Sequence, residues 1–579
     1  YPEERGQAPE VRVDRILGEP DMLITEVAKV VAGAGVDEPL PRAVRLAVES
    51  VAKEVALNDE ELALRTDLRD LHFVTIDPLS ARDFDDAVAL EDLPDGGARI
   101  WVAVADVSHY VQEDSALDKE ARRRSCSIYL PDRAIHMLPE ELSAGICSLV
   151  PNQDRLAMVV RMDVDNQGHI TEDDCLAAVI HSRGRLDYGG VAAALQGDFR
   201  GLRAGYVEHA EILERLGQVT GSLRSARLNR GSLDLDLPES QVQLDEDDPN
   251  RVRDIIYSRG DEPNKKAYNL IEELMVAANE AVGRRFKEKK VPTIWRVHPI
   301  PAMDRVVQLG QWLEAYGIQV DPGELDSPRG MGKVLELLKD HPSQRPLSYL
   351  VLRTLKQAIY AVNNVGHFGL ASSAYLHFTS PIRRYPDLHV HRLVKAMLAK
   401  EGKPAGGARP VRAHSPKELK AMAKAATTAE QRAVSLERGV RALYSAALMR
   451  DRIGDQADGL ITSLIRDGFF VALDHPAVEG MVRIDRRDGH FYPDQLRLKD
   501  NRKKVIYGLG DRVKVEVVDT NIRRRQVDLK LADVEDAHVA VTESPELTDP
   551  VRSKKGKGKG KGKGNYHQKD GKRRGRKWR

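Results

Sequence analysis

Four carboxylates fall within ten residues of the stretch Leu71 to Leu90, LHFVTIDPLSARDFDDAVAL: Asp77, Asp83, Asp85 and Asp86. Ionised carboxylates about 4 Å apart repel by roughly 4 kcal/mol at an intermediate effective dielectric, so a folded cluster calls for protons or cations. Hard divalent ions suit it. Magnesium and manganese take oxygen ligands, and magnesium usually keeps waters and adds substrate phosphate oxygens to one or two carboxylates. The implied chemistry is that of phosphates. An acidic surface turn has the same composition, but the apolar runs on both sides weigh against it. A calcium-binding hand is disfavoured, because its glycine and terminal glutamate are missing.

The flanks indicate which elements position these acids. The residues before Asp77, HFVTI, and those after Asp86, AVAL, are strand-like, while Pro78 and Ser80 break the path between them. In an extended Asp83-Phe84-Asp85 the two carboxylates share a face, and Asp86 joins them only where the backbone bends. A second stretch dense in polar groups is Gly366 to Leu393, GHFGLASSAYLHFTSPIRRYPDLHVHRL. Ser380-Pro381 forces an extended turn, and a helix is expected from Ile382 onward, carrying Leu388, His391, Leu393 and Val394. Arg383 and Arg384 lie at that turn. A guanidinium is a planar fork that matches phosphate oxygens and stabilises charge developing on them, although an isolated arginine pair is ordinarily a solvated surface feature.

The spacing T-I-D-x-x-x-x-x-D-x-D-D-A resembles the signature of the ribonuclease II and ribonuclease R family of exoribonucleases, and YLHFTSPIRRYPDLHVHR is similar to a second segment of that family. The resemblance runs from about Pro20 to Asp533, and the tail beyond is more like that of ribonuclease R. It implies an α+β multidomain chain, a mixed α/β catalytic domain of ribonuclease II type followed by a β-barrel OB-fold. Asp77, Asp83 and Asp86 would hold one or two magnesium ions, with manganese as the alternative. Asp85 would orient the terminal nucleotide and share coordination, and Arg383 would sit at the scissile phosphate. Arg384 would support the fold or contact the RNA backbone. Tyr129, in the segment Arg122 to Leu149, corresponds to the tyrosine that packs on the last nucleotide. Tyr188 corresponds to an aromatic near the RNA path, and Glu437 to an acidic position near the site. Leu235 stands where family members often carry an aromatic clamp; stacking is worth about 1–3 kcal/mol per base, so the clamp is altered here.

Wider features bound this reading. The 579 residues carry no net charge overall, yet Val551 to Arg579 holds fourteen basic residues and one acidic one, leaving about −13 on the remainder. Charged residues are 31% of the chain and no apolar run reaches the roughly 18 residues of a membrane span, so a soluble chain is expected. Three well-separated cysteines, Cys126, Cys147 and Cys175, favour a reducing compartment, the cytoplasm.

Residues 1–18 read as the remnant of an OB or cold-shock module ending in the strand-like VRVDRIL, and 19–55 as a linker of two amphipathic helices. The catalytic domain is expected over 56–453. Within it the pattern predicts long helices over Asn264 to Lys289 and Ser415 to Arg450, shorter ones over Met303 to Tyr316 and Ser348 to Asn363, and a strand at Trp295 to His298, whose histidine reads as structural. Taken as a helix residue, Glu437 is expected to be exposed and ion-paired. Five short strands in 454–535 suggest an OB barrel resembling the RNA-binding module of ribosomal protein S-one. Phe469 and Phe470, with Phe491 and Tyr492, offer base-stacking faces among Arg466, Arg483, Arg486 and Arg487; of the first two, one should point inward and one out. Residues 536–579 form a basic Lys/Gly-rich tail expected to be disordered and suited to RNA.

The family likeness thus implies a hydrolytic, processive 3′-to-5′ exoribonuclease releasing nucleoside 5′-monophosphates from single-stranded RNA. Structured RNA with a 3′ overhang and the ribosome are further expected partners, and a monomer is expected. The competing reading is an RNA-binding or chaperone protein with an inert nuclease domain.

Overall fold

Alternation along the strands of one sheet divides the region around the acidic stretch into two buried layers. In the Ala98–Ala105 strand, Ile100, Val102 and Val104 join one apolar core, while Trp101, Ala103 and Ala105 join another on the opposite face. The same division separates Val74 and Ile76 from Phe73, and Val88 from Ala87 and Ala89. Successive side chains point to opposite faces, so a strand covered on both sides must be apolar at nearly every position. The ARIWVAVA sequence meets that demand.

The computed structural model describes residues 13–532 except 14, 21, 37, 52–54, 56–57, 203–204, 236–237, 249, 259–261 and 408–411. Tyr1–Ala540 is one compact unit; the second, Val541–Arg579, lies outside the described residues, as does the expected basic tail. In the main sheet, Phe73–Asp77 and Asp86–Asp92 are antiparallel neighbours, followed by Ala98–Ala105 and Asp154–Val164. The strand Ile170–Asp187 pairs along most of its length with Asp154–Val164 and at its end, in parallel, with Phe73–Asp77. The long strand thus joins the first and last strands of this run, and the short strand Thr66–Asp67 pairs with it as well. Helices Ala210–Arg230 and Glu262–Glu288 cover one face, and Tyr385–Lys400 supplies side chains to both cores.

The helix Pro416–Arg450 begins at a capping box: Ser415 accepts from the Glu418 N–H at 3.3 Å, and the Glu418 carboxylate accepts from the Ser415 N–H at 2.8 Å. It is also the element on which helix Leu23–Gly33 and the barrel rest. Gln456–Ile465, Gly468–Leu473, Glu479–Arg483, Gln526–Leu531 and Arg512–Asn521 close into a barrel, as expected for an OB-fold. An additional three-stranded sheet, Gly489–Tyr492, Arg497–Asp500 and Val505–Gly508, docks on helix Met303–Ala315, where the Trp312 indole donates to the Pro493 carbonyl at 3.0 Å. Among the described residues no helix is long and apolar enough to cross a membrane.

Several local expectations are corrected. The second motif helix starts at Tyr385 rather than Ile382. The helix expected over Ser348 to Asn363 is Gln344–Thr354, and Ile359–Ala361 instead pairs with Trp295–Val297. There the Arg296 guanidinium lies 4.9 Å from the Tyr360 ring centre, so tertiary packing overrides the helical pattern. Val13 and residues 15–17 form no strand; the rest of VRVDRIL lies outside the described residues.

Candidate active site

The hairpin geometry brings the acids to one end of the sheet. With Val74 opposite Val88, Asp77 closes the first strand and Asp86 opens the second, and the connecting loop carries Asp83 and Asp85. That loop is held from outside by Arg185, whose guanidinium donates to the Leu79 and Ala81 carbonyls at 2.6 and 3.1 Å and lies over the Phe84 ring at 5.1 Å. No pattern in the sequence points to this clamp. Asp187, beside Asp77 in the parallel register, is already engaged: it accepts from the Tyr206 hydroxyl at 2.6 Å and caps the next helix through Gly190.

Two distant segments complete the site. The Ile382 N–H donates to Asp85 at 2.8 Å, and Arg383 Nε stands 3.2 Å from the other Asp85 oxygen. Segment 125–129 is stitched to the same turn by Ser127 N–H to the Arg383 carbonyl at 3.0 Å and Tyr385 N–H to the Ser125 carbonyl at 2.9 Å. Tyr129 then reaches over the acids, its hydroxyl donating to Asp83 at 2.7 Å while the residue remains 42% exposed. The backbone N–H of Tyr129 donates to Glu437 at 3.0 Å. Glu437 is thus half-buried and bonded to the site, not the exposed ion-pairing residue expected from its helix.

Of the two roles expected for Arg384, the structure shows the fold-supporting one. Its guanidinium forms a bidentate pair with Asp387 at 2.7 and 2.9 Å, and Asp387, fully buried, also accepts from the Ser380 N–H at 2.8 Å. Those donors hold the turn that presents Arg383, so they are not aimed at an RNA strand. Arg383 itself is 47% exposed at the side chain and remains available to an incoming group. Tyr188 stacks on Tyr268, ring centres 3.9 Å apart, close enough to Asp86 and Asp77 to feel their charge. Sequence reading missed Tyr268, which sits in an unremarkable amphipathic helix. His298 is buried, accepts from the Gly369 N–H at 3.1 Å, and is pushed by burial toward its neutral form, which agrees with a structural role.

Charge at the acids is strained by burial. Burial and then Asp86 push the Asp77 carboxyl up to about 8, against the pull of Arg383. Burial pushes Asp86 up to about 6, opposed by Arg383 and Arg384. Asp85, 2% exposed, is raised well above the ordinary carboxylate range by burial, with Arg383 and the Ile382 N–H offsetting part of it. Burial also keeps Tyr129 protonated, so it stays a donor to Asp83.

Among the described residues no three Asp, Glu, His or Cys side chains form a cage that could hold an ion. Asp83 accepts from Tyr129 through one oxygen and lies close enough to Asp77 for its charge to raise that carboxyl. What the site does offer is a buried Asp77 oxygen with no hydrogen-bond partner next to a second buried carboxylate. That donor set fits a magnesium ion held by one or two carboxylates with water and phosphate oxygens completing its shell.

The expected stacking residues of the barrel divide as alternation requires. Phe469 is fully buried against Tyr507, ring centres 4.9 Å apart, so it is core and not an RNA contact. Phe470 points the other way and is partly exposed. Leu235 packs, partly buried, against the core shared by the helices and the barrel.

Residues 65–400 match the RNB domain family, and the chain belongs to it. It is 39% identical over 502 residues to ribonuclease R of Escherichia coli (strain K12), covering 86% of this chain and 61% of that protein. Ribonuclease R of Thermotoga maritima is 37% identical over 532 residues, covering 91% of this chain and 73% of the relative. The structure is similar to Mycoplasma genitalium RNase R in complex with ribose-methylated single-stranded RNA, with a TM-score of 0.80 at 29% identity over 90% of this chain and 79% of that one. The chain thus spans about three fifths of the length of the Escherichia coli relative.

Proposed function

We propose that the protein is a metal-dependent exoribonuclease that hydrolyses single-stranded RNA from the 3′ end and releases nucleoside 5′-monophosphates processively. The observation that carries this reading is the meeting of three distant segments at one point: half-buried Asp77 with buried Asp85 and Asp86, the half-exposed Arg383, and the exposed Tyr129. The similarity to ribonuclease R supports the class of substrate and the direction of attack.

In this reading Tyr129 packs its open face on the last base while its hydroxyl stays on Asp83, and Tyr188, backed by Tyr268, lines the approach. Asp85, fixed by Ile382 and Arg383, orients the terminal nucleotide. Arg383 stands ready to neutralise charge gained by the phosphate oxygens, a contribution of about 2.7–4 kcal/mol for one well-placed donor. Asp77 and Asp86 would hold magnesium, or manganese in its place; a bound ion lowers the pKa of water and stabilises charge on phosphate oxygens. Burial excludes bulk water around these groups and strengthens each interaction. RNA over DNA would follow from contacts to the 2′-hydroxyl with little base readout. Structured RNA with a 3′ overhang is a further substrate in this reading, and the chain acts as a monomer. The three free cysteines, two of them buried, support a reducing cytoplasm.

The test is a 5′-labelled single-stranded RNA incubated with wild type or Asp85→Asn, with magnesium or chelator, and resolved at short times. Monophosphate release and short end products should appear only for wild type with metal. RNA left intact by wild type but retarded on a native gel would establish the inert, RNA-binding alternative instead.

A further inference from the structure

The backbone between Asp83 and Asp85 is gripped from behind by two neighbouring residues, Ser148 and Leu149. The Ser148 hydroxyl accepts from the Phe84 N–H at 2.9 Å and donates to the Arg82 carbonyl at 2.8 Å. The Leu149 N–H donates to the Phe84 carbonyl at 3.0 Å. On the far side of Asp85, its own carbonyl accepts from the Ala105 N–H at 2.8 Å. A peptide unit is planar, so pinning the units before and after a residue fixes the direction in which its side chain leaves the backbone. Both acids are held in this way.

The grip is anchored to the main sheet. Arg155 Nε donates to the Ser148 carbonyl at 2.8 Å, and the same guanidinium donates to the Asp154 carbonyl at 3.0 Å and the Gln153 side chain at 2.6 Å. The Arg185 clamp acts elsewhere: its two carbonyls, Leu79 and Ala81, belong to the part of the loop that precedes the acids.

Ser148 is 0% exposed, and its place calls for one small group that donates and accepts at once, which a hydroxyl does. Without it a buried N–H and a buried carbonyl lose this partner, and the backbone must turn to satisfy them elsewhere. Asp83 and Asp85 would turn with it, away from Tyr129 on one side and from Ile382 and Arg383 on the other. Nearby Ser143 makes an internal comparison. It is also 0% exposed, yet its hydroxyl has no hydrogen-bond partner.

We propose that the Ser148 hydroxyl is the positioning group of the acidic loop, setting where Asp83 and Asp85 point and thereby the rate of phosphodiester hydrolysis, an inference that rests on the RNA-degrading reading above. It touches neither RNA nor metal, so its effect falls on turnover and not on affinity.

The experiment compares Ser148→Ala, Ser148→Thr and Ser143→Ala in the full chain, with kcat and KM measured on a short single-stranded RNA in magnesium, well below each thermal midpoint. Ser148→Ala should lower kcat about 10²-fold, the scale of a displacement of about 1 Å among reacting groups, with KM within about twofold of wild type. Ser148→Thr, which keeps the hydroxyl, should recover most of kcat, and Ser143→Ala should match wild type in both constants. Wild-type kcat in Ser148→Ala overturns the proposal. An equal loss from Ser143→Ala also does so, because it would assign the effect to packing, as does a raised KM with kcat unchanged, which would assign it to RNA binding. Should the alanine or threonine variant melt early, Ser148→Cys decides in its place, since the thiol nearly keeps the volume and loses the strong hydrogen bonds. A cysteine variant with depressed kcat and unchanged KM supports the positioning role, and one with wild-type kcat overturns it. Wild type that leaves RNA intact in magnesium sinks the RNA-degrading reading itself, a result seen before any substitution is made.

Discussion

The carboxylate end of the sheet and the rim of the barrel are both rich in Asp and Arg, and they hold those charges in opposite ways. At the sheet, Asp85 is 2% and Asp387 0% exposed, and each is tied to a backbone N–H as well as to an arginine. At the rim, Arg486–Asp467 and Arg487–Asp485 are close pairs at 2.5 and 2.7 Å, with the arginines 64% and 88% exposed. Water and salt weaken the second kind until an exposed pair contributes only about 0–1 kcal/mol. The first kind fixes atoms in place, because an unpaired buried charge is costly. The aromatic pair of the barrel repeats the division: buried Phe469 holds structure, while its partly exposed neighbour Phe470 faces the other way.

That contrast can be broken at graded cost. Phe469→Ala should be the largest change, lowering barrel stability by about 3–5 kcal/mol through loss of a fully buried ring, seen as an early thermal transition. Arg383→Ala should leave folding intact and lower the turnover rate about 10²–10³-fold, whereas unchanged turnover would remove Arg383 from the chemistry. Phe470→Ala should do the reverse of its neighbour, sparing the thermal midpoint and weakening single-stranded RNA binding by about 1–3 kcal/mol in a filter assay. At the small end, Arg487→Ala should change stability by less than about 1 kcal/mol, and less still at high salt.

The acids add a pH test with a definite sign. Asp77 is raised to about 8 and Asp86 to about 6, whereas both lose their protons near pH 4 in the unfolded chain. The folded chain therefore binds more protons between pH 4 and 8, so the stability these groups contribute is full below about 4 and is lost as pH rises through 6 and then 8. In chelator the thermal midpoint should decline over that window. Asp77→Asn should flatten the decline, and added magnesium should raise the midpoint more at pH 8 than at pH 5.

Much of this site was legible because its signals are local. Four acids in ten residues between apolar runs state a hairpin end and its charge, and alternation along GFFVAL states that Phe469 and Phe470 face apart. Family likeness supplied Tyr129, Arg383 and Glu437 as candidates, but not what each touches. The bond from Ile382 N–H to Asp85 spans almost three hundred residues, and that from Tyr129 to Glu437 more than three hundred. Neither leaves a periodic trace in the sequence. Arg383 and Arg384 are adjacent and chemically identical; only the position of Asp387 decided that one is committed to the turn and the other left open.

The hairpin that gathers the acids, the long capped helix and the strands of the barrel follow from local sequence, because hydrophobic period, turn residues and caps act over a few residues. Tertiary structure alone decided that Ile359–Ala361 is a strand, that Arg185 clamps the acidic loop and that Ser148 grips it from behind. Those outcomes depend on which surfaces pack together, and packing brings together residues whose separation in the chain carries no information about their distance in space.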